Sequence, residues 1–159
     1  MTKTYATSPM ISPDTIVICC SSSRFQPAFK EFIKDQLGLS EGDYIPFILP
    51  GAGGGLARPN ILPKDFKIMK ERLELLQKEY KSVRRVVIIN HEDCAYYRSL
   101  KDRVPEFIRS FHSHVSQDDM KVISQVFANL LSHLKMQLEC YYAKFADADH
   151  TQVTFEKVN

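Results

Sequence analysis

No run of about eighteen apolar residues occurs in the chain, so the sequence offers no membrane-spanning helix. The opening residues, MTKTYATSPM, hold no apolar stretch long enough for a secretory signal, and a cytoplasmic protein is expected. Dense Lys/Arg runs are missing too. With 21 basic and 19 acidic residues the net charge is +2, too small to argue for a nucleic-acid partner. Cysteine is sparse, and four in 159 residues without a secretory signal do not make a disulfide framework. In a reducing compartment such thiols bind metal, do chemistry or fill a core. There is no internal repeat, low-complexity segment or dividing linker, so residues 1–159 are expected to form one domain with a substantial core. A composition 44% hydrophobic and 25% charged is that of an ordinary soluble globular protein.

What is present reads as strands alternating with helices. DTIVICC is a short apolar, β-branched run, as expected of a buried strand. After SSSR, the stretch FQPAFKEFIKDQLG places Phe29, Phe32, Ile33 and Leu37 on one helical face, with Gly38 as a C-terminal stop. YIPFILP reads as a second strand if Pro46 sits near its beginning. GAGGGLARP then reads as a flexible loop. From Pro63, a helix-initiating proline, the stripe Phe66, Met69, Leu73, Leu76 and Tyr80 marks a helix. RRVVIIN is the clearest strand, followed by a helical region broken at Pro105. A further helix opens on a capping-box-like Ser116 and Asp119 and buries Ile123, Val126, Phe127, Leu130 and Leu134. The tail reads as two strands around a polar turn. This order implies an α/β fold: a mostly parallel β-sheet flanked by helices on both faces, with C-terminal strands.

In such sheets ligand sites gather beyond the carboxyl ends of the strands. Cys20, the glycine loop, and His91 with Cys94 each fall just after the end of a different predicted strand. Adjacent Cys19 and Cys20 point to opposite faces of a strand, so at most one serves a given site. His91 and Cys94, three apart at a strand-to-helix turn, can face one point. With Cys20 they make a Cys2His set, the kind that holds catalytic zinc with a fourth position for water. Two thiolates and an imidazole suit zinc better than magnesium or calcium. The residues alone also allow Cys20 and Cys94 to be packed thiols and His91 a helix-cap residue.

Three segments in order resolve that choice by resemblance: CSSSR (Cys20 to Arg24), GAGGG (Gly51 to Gly55) and HEDC (His91 to Cys94). A C-x-x-S-R turn, a glycine-rich loop and H-x-x-C after successive strands resemble the β-class carbonic anhydrases, and the resemblance runs from about residue 15 to the C-terminal strands. It implies zinc on Cys20, His91 and Cys94, Ser22 and Arg24 in catalytic positions, and Gly51, Gly53 and Gly54 in the loop beside the substrate. The implied reaction is that of a lyase in which zinc-bound hydroxide attacks carbon dioxide to give bicarbonate. The implied partners are that substrate pair, or another small anion, and a second copy of the chain in a homodimer. A non-catalytic zinc-binding relative, or a hydrolase of a carbon dioxide analogue, would use the same scaffold.

Departures from the family pattern matter as much. C-x-D-S-R carries an aspartate that pairs with the arginine and accepts a hydrogen bond from the zinc-bound hydroxide; this chain has Ser22 there. A hydroxyl cannot neutralise Arg24 or close on zinc as a carboxylate does. Arg24 then either stays unpaired and attracts anions, or takes Asp93 or Glu92 as a substitute. Ala95 replaces the glycine that usually follows the second cysteine, and the arm before the first strand is short. Other residues carry bland readings. The spacing of His112 and His114 splays them on a helix, His133 and His150 sit at the surface, Cys19 and Cys140 are core thiols, and the tyrosines at 96, 97, 141 and 142 pack. A low-molecular-weight phosphatase needs a longer, glycine-bearing loop between cysteine and arginine. A nucleotide cradle would need a Lys-Ser/Thr pair or a further glycine after GAGGG, where Leu56 stands.

Overall fold

The computed structural model describes residues 2–7, 12–100 and 115–159. Pro105, His112, His114 and the side chain of Ser116 lie outside the described residues. The described strands form one five-stranded sheet: β1 (Thr15–Cys20), β2 (Tyr44–Leu49), β3 (Arg85–His91), β4 (Gln137–Phe145) and β5 (Val153–Lys157), in the order β2-β1-β3-β4-β5. The first four run parallel, and β5 returns antiparallel beside β4. β1 and β3 occupy the interior and read as near-continuous apolar runs because helices cover both of their faces. Pro46 is tolerated because β2 is an edge strand.

Strand alternation separates the two faces. On one, α1 (Gln26–Asp35) lays Phe29, Phe32 and Ile33 against the sheet, where Phe32 meets Tyr141 edge-on at 5.0 Å. Gly38 adopts φ +67, which turns the chain so that the Leu39 N–H reaches back to the Ile33 carbonyl at 3.1 Å. The opposite face carries α2 (Pro63–Glu79) and the helix Val115–Leu130; a short α3 (Ala95–Ser99) follows β3, so that last helix is α4. Of the expected stripe only Met69 and Leu73 are fully buried, while Tyr80, just past the end of α2, is 38% exposed.

Two expectations are corrected here. GAGGG is not a flexible loop: residues Ala52–Leu56 form a buried 3-10 turn packed on the sheet. A Cβ added at Gly53 would come within 2.8 Å of Ile88 and 3.2 Å of Ile123, so the turn sits between β3 and α4 with room for hydrogen only. Leu130 is about half exposed, and Leu131 is buried in its place. The helix ends there, the Leu131 N–H bonds the Val126 carbonyl, and the changed twist rotates the next leucine inward. Near the start of α4, Asp119 forms a buried ion pair with Arg58, two residues beyond the glycine turn.

That pair ties the glycine turn to α4. Asp119→Ala, which leaves the Arg58 charge buried and uncompensated, is expected to cost about 3–5 kcal/mol in urea unfolding. Exposed Glu71→Ala on α2 should cost under about 0.5 kcal/mol.

Candidate metal centre

Cys20 is the last residue of β1 and His91 the last of β3, while Cys94 stands just ahead of α3. All three are buried. Between the two motif residues, Asp93 takes a left-handed conformation, φ +54, which aspartate tolerates better than most residues. This compact turn is what brings His91 and Cys94 to one point. One candidate ligand atom from each of Cys20, His91 and Cys94 lies within 4.8 Å of the other two.

The histidine fixes the chemistry. Its Nδ1 lies 2.6 Å from the Glu92 carbonyl oxygen, an acceptor, so Nδ1 carries the proton and donates it there. Nε2 is then a bare lone pair, buried and without a hydrogen-bond partner among the described residues. Leaving such an atom unmet costs about 1–3 kcal/mol. The two sulfurs are 3.7 Å apart. Tetrahedral geometry at a Zn–S distance near 2.3 Å demands a sulfur–sulfur edge of about 3.8 Å. Donor set, spacing and orphaned lone pair all fit a zinc-sized cation.

Around the thiols the charges are arranged to match. Cys94 donates to Cys20, and that bond lowers the Cys20 pKa; burial opposes the shift, while the N–H groups of Gly51 and Ser22 assist it. The Gly51 N–H contact is 3.4 Å long. Cys94, holding the shared proton in a buried setting beside a thiolate, is raised. The pair therefore loses its first proton easily and its second reluctantly. Cys19, on the other sheet face, is pushed up to about 11 by burial and stays a thiol.

The remaining sequence candidates are placed as follows. Gly51 takes φ +76, and a Cβ there would lie 2.2 Å from Tyr96 Cδ1, so only glycine brings this N–H to Cys20. Gly53 and Gly54 pack against Ile88 and Tyr97 and make no hydrogen bond to the three ligands. Ser22 lends its carbonyl to the N–H groups of Phe25 and Gln26, starting α1, and its hydroxyl has no partner among the described residues. Arg24 is exposed; it donates to the His150 carbonyl at 2.7 Å and lies over the Phe145 ring, 4.5 Å from its centre. Neither suggested substitute carboxylate takes it. Asp93 pairs with Arg98, and the Glu92 carboxylate accepts the Phe145 N–H. Two residues had no sequence signal. Gln26 donates to the Cys20 carbonyl at 2.6 Å, and Phe25 packs on the His91 ring at 4.0 Å. Neither belongs to a motif, and their roles come from the turn that folds α1 back over the strand ends.

No family model and no curated protein matches the sequence. Among solved structures, the chain is similar to a carbonic anhydrase from Streptococcus mutans, with 14% identity over 97% of this chain and 88% of that one, at a TM-score of 0.55. It is similar also to the β-carbonic anhydrase isoform I of Trichomonas vaginalis, with 18% identity over 97% of this chain and 87% of that one, at a TM-score of 0.53. The chain thus has the β-carbonic anhydrase fold, with a Cys-His-Cys group that could hold a metal ion.

Cobalt titration of the reduced protein should give thiolate-to-metal absorption that is lost in Cys20→Ser and Cys94→Ser and unchanged within about twofold in Cys19→Ser. At neutral pH the pair holds one proton that the metal must displace. Apparent affinity should therefore rise with pH, by about tenfold per unit between the two thiol pKa values.

Proposed function

We propose that the chain is a zinc protein of the carbonic anhydrase type, a lyase acting on carbon dioxide and bicarbonate. The observation that carries this reading is a buried His91 with a ring nitrogen within 4.8 Å of both candidate sulfurs and an Nε2 that has no hydrogen-bond partner among the described residues, on a fold shared with carbonic anhydrases. Cys20, His91 and Cys94 would hold the ion and leave a fourth position free. Zinc there would supply a Lewis acid that activates water for attack on carbon dioxide.

The chain's own residues do the rest. The Glu92 carbonyl orients His91 and favours the Nδ1–H tautomer, which presents Nε2 as the ligand atom. The Gly51 N–H disperses charge on the Cys20 thiolate. Phe25 and Phe29 wall the imidazole on the α1 side, at 4.0 and 6.0 Å. Ser22 offers a hydroxyl that can accept or donate one hydrogen bond at the position where the family pattern has a carboxylate. Nothing at that position can close on the metal as a fourth anionic ligand.

A second reading rests on the same substitution. With Ser22 neutral and Arg24 turned to the His150 carbonyl, the chain could hold zinc without turning over carbon dioxide, or act on an analogue of it. A homodimer in the cytoplasm belongs to the first reading, and sedimentation velocity reads the oligomeric part directly.

Stopped-flow hydration of carbon dioxide by zinc-loaded, reduced protein separates the two. The carbonic anhydrase reading expects turnover that vanishes in Cys20→Ser and rises about tenfold or more in Ser22→Asp, the gain ascribed to one positioned acid–base group. Stoichiometric zinc with no turnover in either the native protein or Ser22→Asp would sink it in favour of the binding role.

A further inference from the structure

A groove of about 580 Å3 lies between α1 and the β4–β5 hairpin, within the size range of small-molecule sites. It is separate from the three candidate ligands, because Phe25 lines the groove and packs on His91 behind it. One end is cationic. Arg24 is held there by its bond to the His150 carbonyl and by the Phe145 ring, on which the His150 imidazole also stacks at 4.2 Å. No carboxylate among the described residues pairs with Arg24, and a single bond to His150 leaves most of its five N–H donors to solvent. The floor holds two stacked rings: Phe32 and Phe155 lie at 4.1 Å with their planes 13° apart.

At the opposite end stand Glu31 and Asp35, about 8 and 14 Å along the helix from Gln26 by its rise per residue. A guanidinium with free donors, an aromatic floor and an acidic far wall select by charge as well as by shape. We propose that this groove binds a small monocarboxylate with an aromatic or branched apolar body. The carboxylate meets Arg24, the body packs against Phe32 and Phe155, and a second negative group is rejected by Glu31 and Asp35. The groove does not depend on the metal reading, since none of its lining residues is a candidate ligand.

Titration of the full, reduced chain followed by amide NMR tests this, with benzoate, benzyl alcohol and terephthalate as probes. Benzoate is expected to shift the amides of Ala28, Thr151 and Gln152 saturably, in the native protein and in Cys20→Ser alike. Arg24→Gln, or the neutral benzyl alcohol in place of benzoate, should weaken binding about tenfold or more, the worth of one charge-assisted contact. Terephthalate should bind more weakly than benzoate, and a Glu31→Gln/Asp35→Asn double variant should remove that difference. Ala28→Phe, which fills the groove from the helix side, should abolish the shifts with the circular dichroism unchanged. Several results would overturn the proposal: shifts confined to the surroundings of Cys20 and Cys94, equal binding of benzoate and benzyl alcohol, or indifference to Arg24→Gln. So would no saturable shift by about 50 mM, beyond the weakest affinity expected for a ligand of this size.

Discussion

Parallel pairing of β1 with β3 sets the carboxyl ends of two interior strands one strand spacing, about 4.8 Å, apart, and each candidate ligand is reached from those two ends. Their ladder runs from Thr15 opposite Arg85 to Cys19 opposite Ile89. Cys20 and His91 lie just past its last pair. Strict alternation would send them to opposite sheet faces, since Cys20 is level with Asn90 rather than His91. They meet because the ladder has ended and the space beyond the rim is open to both. The Asp93 turn then brings Cys94 back to the same point.

Burial energetics explain how the fold carries such a site. Val86, Val87, Ile88 and Ile89 are wholly excluded from solvent, and each contributes about 1.5–3 kcal/mol by leaving water. The strand they form ends in two buried polar residues. Asn90 donates to the Tyr97 hydroxyl, yet its Oδ1, like His91 Nε2, has no partner among the described residues. Each such atom costs about 1–3 kcal/mol, which the apolar run ahead of it more than offsets. An unmet lone pair at the end of a fully apolar strand is therefore affordable to the fold and available to a cation. The neighbouring thiol pair makes the same offer electrostatically, with one thiol already acidic.

The turn after β1 gives the rim its individual character. Ser22 stands where the family resemblance expects a carboxylate, and Arg24 makes its contacts with the C-terminal turn instead of a carboxylate. Arg24 accordingly lines the groove beside α1. Ring contacts run without a break from Arg24 through Phe145 and Phe25 to His91, so the two regions share a wall. The candidate metal site and the outer groove are neighbours with different charge patterns.

Much of this was legible in the chain itself. β-branched runs marked β1 and β3, helical spacing marked Phe29, Phe32 and Ile33, and the order of three short motifs pointed to Cys20, His91 and Cys94. Adjacency of Cys19 and Cys20 already said that only one could serve, because successive strand residues point apart. GAGGG misled, since glycine signals freedom only where nothing packs on it, and here Ile88, Tyr96 and Tyr97 press against the turn from outside the local sequence. The partner of Arg24 was equally invisible: His150 and Phe145 lie more than 120 residues away, on a hairpin that reaches Arg24 only after β4 has paired with β3. Local patterns determined which residues form strands, helices and ligand-bearing ends. Which side chains meet was decided by strand order and by the return of the C-terminal hairpin, because contact across a sheet depends on pairing and not on spacing along the chain.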